Sequence, residues 1–332
     1  MTSRQRTFLL VGAGSIGRRH LANLRVLEPR ANIVVLRQYS RDPLAGADLV
    51  VSKLDDALMQ QPFAAIIANP APMHVPVAQR LAERGCHLLI EKPLSHDLDG
   101  VDFLLQTCAA QRLVLAIGYN LRFMPSLQRL VSLVAEGAIG KLLHIQCSVG
   151  QYLPDWRPGI DYRKSVTARS ELGGGALLEL SHEIDLAIWV AGPVESVSAR
   201  IERVGELEID VDDCAELSLS FVSGARGTIR LNLLERMPRR IVQITGSAAS
   251  LEWDYFADAL RVGNATAGWR PIDTPKLTDR NDMYVDELKS FLDCIASTSA
   301  PIIDGAAGRR VLSVIDAARR SHQKNQSRVL VA

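Results

Sequence analysis

Lys92, in Glu91-Lys92-Pro93, and His182, in His182-Glu183-Ile184-Asp185, are the side chains best suited to move a proton at a ligand oxygen. An ammonium donates to a developing oxyanion, and an imidazole of near-neutral pKa serves as general acid or base. Asp185 lies three residues after His182, one helical turn on, where a carboxylate orients an imidazole or meets a ligand. Glu179, three residues before His182, shares that helix face or serves as a structural acid near a helix start. A second kind of chemistry is anion binding. Gly12-Ala13-Gly14-Ser15-Ile16-Gly17 follows the apolar run Phe8-Leu9-Leu10-Val11 and precedes a helical pattern. A G-x-G-x-x-G in that setting is a dinucleotide fingerprint. Gly12 permits the turn, Gly14 lets backbone approach a pyrophosphate, and Gly17 lets helix and strand pack. The anion meets the helix start at Ser15 and Ile16. A third set, Trp156, Arg157, Tyr162 and Arg163, fills a long polar stretch. Its rings suit the face of a sugar and its guanidinium groups suit a phosphate or carboxylate.

The elements that must position these groups follow from periodicity. Strands are predicted at Thr7–Val11, Ile33–Arg37, Leu49–Val51, Ala64–Ala68, His87–Ile90 and Leu113–Ile117, with helices such as Val75–Arg84 and Leu98–Gln111 between them. Alternation of strand and helix implies a doubly wound parallel sheet, a Rossmann domain over 1–121. Residues 122–332 read as an α+β domain with a large open, mainly antiparallel sheet. Its pattern gives a helix at Ser126–Glu136, a strand at Leu142–Val149, an irregular stretch over Gln151–Gly175 and a helix at Ala176–Val190. Strands Ala215–Val222, Gly227–Leu234, Arg240–Thr245 and Ser250–Trp253 follow, then helices near Met283–Ser297 and Gly305–Lys324. The last helix is free to pack back on the first domain.

With 332 residues the chain is long enough for two cored domains. A formal net charge of +1 gives no electrostatic case for nucleic acid or an anionic membrane. No apolar run reaches a membrane span, and the polar start Met1–Thr7 leads into a strand rather than a signal peptide. Five scattered cysteines without a C-x-x-C pair argue for a reduced, cytoplasmic protein without structural zinc. No metal is expected, since His182 and Asp185 lack a third ligand.

The second strand ends near Arg37, with Arg41 shortly after, where an acid would favour a ribose 2′-hydroxyl. Two arginines suit a 2′-phosphate, so NAD(P) is expected with a lean to NADP. Arg37 stacked on adenine with NAD bound is the other reading.

Taken together, the glycine loop, Asn69-Pro70-Ala71-Pro72-Met73-His74, Glu91-Lys92-Pro93, Gly118-Tyr119-Asn120-Leu121-Arg122-Phe123 and Gly173-Gly174-Gly175 before His182 resemble the Gfo/Idh/MocA family of nicotinamide-dependent oxidoreductases. The resemblance spans nearly the whole chain. It implies hydride transfer at a secondary hydroxyl or ketone of a sugar, nucleotide sugar or polyol. It also implies that Lys92 contacts the reacting hydroxyl and that the Lys92–Pro93 peptide is cis. Asn69, Pro70 and His74 would line the nicotinamide side. Glu91 and Asn120 would meet the cofactor, and Arg122 the substrate. A homodimer or homotetramer through the open sheet is implied too. The family's usual aspartate four residues before the histidine is replaced here by Leu178, which leaves Glu179 as its possible substitute. The loop carrying Trp156 and Tyr162 is similar to a subgroup working on bacterial surface sugars. A non-catalytic dinucleotide-binding redox sensor and an NAD-dependent glycosidase of the same family are the alternatives.

Overall fold

A computed structural model describes residues 6–38 and 42–332. In chain order the elements are β1 (Thr7–Val11), α1 (Ser15–Leu27), β2 (Asn32–Leu36), β3 (Leu49–Val51), α2 (Leu54–Met59), β4 (Ala64–Ile67), α3 (His74–Ala82), β5 (His87–Glu91), α4 (Val101–Ala110) and β6 (Leu115–Gly118). Then come α5 (Pro125–Ala135), β7 (Leu142–Gly150), α6 (Ala176–Glu179), α7 (His182–Ala191), β8 (Val194–Glu202), β9 (Cys214–Phe221), β10 (Arg226–Asn232), β11 (Arg239–Gly246), β12 (Ser250–Asp254), β13 (Ala259–Asn264) and β14 (Gly268–Ile272). The chain closes with α8 (Asp282–Ser297), α9 (Gly305–Gln323) and β15 (Val329–Leu330).

Two compact units result: Met1–Asn120 with Asp279–Arg309, and Leu121–Thr278 with Arg310–Ala332. Asp279–Arg309, which periodicity had left in the second domain, is grouped with the first.

The first unit is built on a parallel sheet in the order β3-β2-β1-β4-β5-β6. β1, β4 and β5 are almost wholly buried, which explains why they read as unbroken apolar runs rather than alternating ones. Their core, including Phe8, Leu10, Ile33, Ile66 and Leu89, is closed by Leu288 and Phe291 of α8. The strand order reverses between β1 and β4. That is the switch point beside which open α/β sheets bind ligands, at the carboxyl ends of the strands.

The second unit is a nine-stranded sheet, β14-β13-β12-β11-β7-β10-β9-β8-β15. It is antiparallel except for the parallel pair β7 and β10. Along β10 buried and exposed residues alternate, as they do in a sheet with one face covered. α5, α6 and α7 pack against it. The indole of Trp253, fully buried, donates to Ser126 Oγ at 2.9 Å.

Two local expectations differ from the structure. The helix expected over Ala176–Val190 is broken: α6 ends at Glu179, Leu180 leaves α geometry (φ −99°, ψ 28°), and α7 starts at His182. Leu177, Leu178, Leu180 and Ser181 are all buried, a set that one continuous helix would spread around its circumference. The stretch Gln151–Gly175 is not structureless but carries four 3₁₀ turns, at Leu153–Asp155, Tyr162–Lys164, Val166–Ala168 and Ser170–Leu172. Among the described residues no helix is long and apolar enough to cross a membrane.

Candidate active site

In the first unit the site is an edge. The loop Gly12–Gly17 follows β1, Arg37 follows β2, Asn69-Pro70 follows β4, Lys92-Pro93 follows β5 and Asn120 follows β6. Because the strands are parallel, all of these lie at the carboxyl edge of one sheet.

The glycine loop has the shape a dinucleotide needs. Gly12 adopts φ +90°, and its N–H donates to Leu36 O at 3.0 Å. A Cβ on Gly12 would stand 2.7 Å from Ala68 O, and one on Gly17 would stand 2.2 Å from Gly12 O. Around Gly14 such an atom would meet nothing within 4 Å, so the space beside it is open to a ligand. α1 begins there with no side-chain cap and no acid in its first turn. Its first N–H groups therefore lack intrahelical acceptors, and the helix dipole favours an anion. The residues present fit a pyrophosphate. Arg37 is half-buried, with its N–H bonded to Val51 O at 2.9 Å; Arg41 lies outside the described residues.

The Lys92–Pro93 peptide is cis, and the Lys92 side chain is partly exposed. His74, expected against the nicotinamide, is instead buried with its ring between the carbonyls of Asn69 (Nε2, 2.7 Å) and Pro93 (Nδ1, 2.9 Å). Both ring nitrogens face backbone carbonyls, and a neutral ring donates to one of the two. His74 thus ties the turn after β4 to the turn after β5. Burial lowers its pKa, against the pull of the two carbonyls. Glu91 likewise turns inward. Its Oε1 lies 2.6 Å from His20 Nε2, and its Oε2 accepts the Lys92 N–H at 3.2 Å. Glu287 of α8 lies beside this pair.

In the second unit the triglycine leads into α6. Asp212 holds this start: its Oδ2 accepts the Leu177 N–H at 2.8 Å, and its carbonyl accepts the Ala176 N–H at 2.9 Å. Gly175, at φ +101°, leaves room for it, since a Cβ there would sit 2.3 Å from Asp212 Oδ1. Burial raises the Asp212 pKa and the Leu177 N–H opposes the rise. Glu179 and His182 are both half-buried, with Leu180-Ser181 between their helices.

The Asp185 carboxylate bonds to Arg122. Arg122 grips it in a buried fork, Nε to Oδ2 at 2.9 Å and Nη2 to Oδ1 at 2.6 Å. The Arg122 guanidinium also lies over Trp189 at 5.2 Å. Arg122 is therefore held inside the second unit, with Asp185 as its anchor. One turn of helix separates Asp185 from His182, but the buried face of α7 takes Asp185 inward, where burial raises its pKa against the pull of Arg122. A second pair, Glu183 of α7, which is buried, with the partly buried Arg240, closes at 2.8 Å.

The aromatic and basic loop mostly holds itself together. Arg163 pairs with Asp161 (2.8 Å) and Glu208 (2.7 Å). The Tyr162 hydroxyl accepts the Glu208 N–H at 3.2 Å, and the Trp156 indole donates to Gln151 O at 3.1 Å. The rings of Trp156 and Tyr162 line one hollow with Leu153 and Ile160, and Arg157 is exposed. His20, Glu287 and Asp212 were missed from the sequence because no motif surrounds them. The available signal was a polar residue inside an apolar helical stripe: His20 beside Leu21 and Leu24, Glu287 beside Met283, Leu288 and Phe291.

Known proteins resemble the chain over its whole length. Residues 6–119 match the oxidoreductase family with an NAD-binding Rossmann fold, and residues 127–252 match the GFO/IDH/MocA C-terminal domain. A UDP-N-acetylglucosamine 3-dehydrogenase of Acidithiobacillus ferrooxidans is 26% identical, over 92% of this chain and 93% of that protein. A myo-inositol 2-dehydrogenase of Thermotoga maritima is 27% identical, over 96% of each. Among solved structures, a levoglucosan dehydrogenase in complex with NADH and levoglucosan superposes with a TM-score of 0.86 at 22% identity, covering 99% of this chain and 100% of that one.

Proposed function

The chain belongs to the Gfo/Idh/MocA family of NAD-binding oxidoreductases, and on that premise we propose that it transfers a hydride between a nicotinamide dinucleotide and a secondary hydroxyl or ketone of a sugar, nucleotide sugar or polyol. The observation that carries this reading is the shared edge. The glycine loop, Asn69-Pro70 and Lys92 follow three adjacent parallel strands, β1, β4 and β5. Gly12, Gly14, Ser15, Ile16 and Gly17 hold the pyrophosphate, and Arg37 meets the adenosine ribose. Asn69, Pro70 and Asn120 lie along the same edge for the nicotinamide half. The bound dinucleotide supplies or accepts the hydride.

Lys92 does the protein's part at the substrate. Its ammonium donates to the reacting oxygen, stabilises charge as it develops, and passes a proton to or from it. His182 is the second proton carrier, with Glu179 as its candidate partner. Trp156 and Tyr162 offer ring faces to a sugar, and Arg157 offers an exposed charge. The name of the Acidithiobacillus relative favours a nucleotide sugar, consistent with bacterial surface-sugar metabolism. NADP is preferred over NAD because a guanidinium, that of Arg37, and not a carboxylate follows β2. The open face of the nine-stranded sheet joins two or four copies of the chain in the cytoplasm.

Turnover of UDP-N-acetylglucosamine and myo-inositol with each oxidised dinucleotide tests this. Reduced cofactor must appear with the wild type and vanish with Lys92→Ala. Release of free sugar without net reduction, or loss-free activity of Lys92→Ala, would overturn the assignment.

A further inference from the structure

Behind Lys92 lies a buried polar cluster that the hydride-transfer reading does not use. His20 on α1, Glu91 at the end of β5 and Glu287 on α8 bring their polar atoms within 4.8 Å of one another. They are 0%, 8% and 3% exposed. His20 Nε2 and Glu91 Oε1 are 2.6 Å apart, and Glu91 Oε2 accepts the Lys92 N–H. Both oxygens of Glu287 are shut from solvent with no hydrogen-bond partner among the described residues. Two ionised carboxylates here would leave Glu287 buried, charged and without a donor, the costliest state a carboxylate has.

We propose that Glu287 is a neutral carboxylic acid in the folded protein, packed against the His20–Glu91 pair, and that it positions the turn carrying Lys92. This rests on the role given to Lys92 above. The charge count is the argument: one proton on Glu287 leaves a single carboxylate, Glu91, which already has His20 and a backbone N–H. Burial, and then the Glu91 charge, push the Glu287 pKa well up. The other groups near the cluster are few. Tyr284 of α8 lies edge-on to His20 with centroids 6.1 Å apart, Arg19 of α1 stacks on Tyr284 at 4.6 Å, and Lys92 follows Glu91. None of them donates to Glu287. Glu287 is thus a positioning residue: it acts on substrate only through Glu91 and the Lys92 backbone.

Three variants test this: Glu287→Gln, Glu287→Leu and Lys92→Ala, each assayed for Tm against pH, for turnover and for dinucleotide affinity, alongside the metal content of the purified wild type. A carboxyl whose folded pKa is raised stabilises the fold below its unfolded pKa, and that stabilisation is lost as pH rises toward the folded value. The wild-type Tm should therefore fall relative to Glu287→Gln as pH rises above the unfolded Glu value of about 4.3. Glu287→Gln should keep most of the turnover. Glu287→Leu should lose about tenfold or more in kcat, as mispositioned groups do, with dinucleotide affinity unchanged. Parallel Tm curves for wild type and Glu287→Gln would overturn the neutral acid. Full kcat in Glu287→Leu would overturn the positioning. A stoichiometric divalent metal lost in Glu287→Gln would make the cluster a metal site instead. Wild-type turnover in Lys92→Ala would remove the role of Lys92 while leaving the Tm comparison to stand or fall alone.

Discussion

Lys92 and Arg122 show how differently two cations of one chain are used. Lys92 is partly exposed at the carboxyl edge of its sheet, whereas the Arg122 side chain is spent on Asp185 in a buried fork. Replacing Lys92 by Ala should lower kcat by about a hundredfold or more, the scale of a lost acid or base, with dinucleotide affinity and Tm nearly unchanged. Replacing Arg122 by Ala leaves the Asp185 carboxylate buried and unpaired. It should cost about 3–5 kcal/mol in chemical denaturation. If Arg122→Ala instead raised KM for the sugar at unchanged stability, the clamp assignment would be wrong. The fork illustrates a limit of reading residues from sequence. Spacing placed Asp185 one turn from His182, but the partner stands 63 residues away, and spacing says nothing of contacts at that range. The same limit hid the pairing of His20 with Glu91, 71 residues apart.

Among elements, β1 was legible to the residue and α1 in place, though the structure starts the helix at Ser15, because an apolar run, a glycine fingerprint and a helical pattern agree there. The three glycines have unequal duties, and this gives a prediction. Gly14→Ala meets open space, so the fold should survive while dinucleotide affinity falls about tenfold or more as the Cβ occupies the ligand's approach. Gly17→Ala would meet the Gly12 carbonyl at 2.2 Å, so its Tm should drop along with binding. Similar Tm losses for both would contradict the division. The α6–α7 region was less legible, since continuous helical propensity gave no sign of the break at Leu180. Its start is fixed by Asp212 from a distant part of the chain. Asp212→Ala removes that cap, and should destabilise by about 1 kcal/mol and reduce kcat more than dinucleotide affinity.

For the whole molecule, the parallel order β3-β2-β1-β4-β5-β6 and the large sheet of the second unit agree with the fold expected from alternation and turn spacing. The parallel pairing of β7 with β10 was not legible, because register between distant strands is set by packing. The exposed face of the nine-stranded sheet carries Ser198, Ser218, Ser220, Arg226 and Thr228 around a shallow hollow. If it joins copies of the chain, light scattering should give a mass two or four times 36.4 kDa, and a charged substitution at Thr228 should dissociate it; a monomeric wild type would remove that surface as an interface. Arg37→Asp should weaken NADPH more than NADH, and equal losses would withdraw the preference for the phosphorylated dinucleotide.

The most direct test of the central claim, a dinucleotide site at the carboxyl edge beside Lys92, is a pair of fluorescence titrations with NADH and NADPH, repeated with Gly14→Ala. Saturable one-to-one binding of at least one dinucleotide, weakened in the variant, is the expected result. Binding of neither by the wild type, or binding untouched by Gly14→Ala, would contradict it.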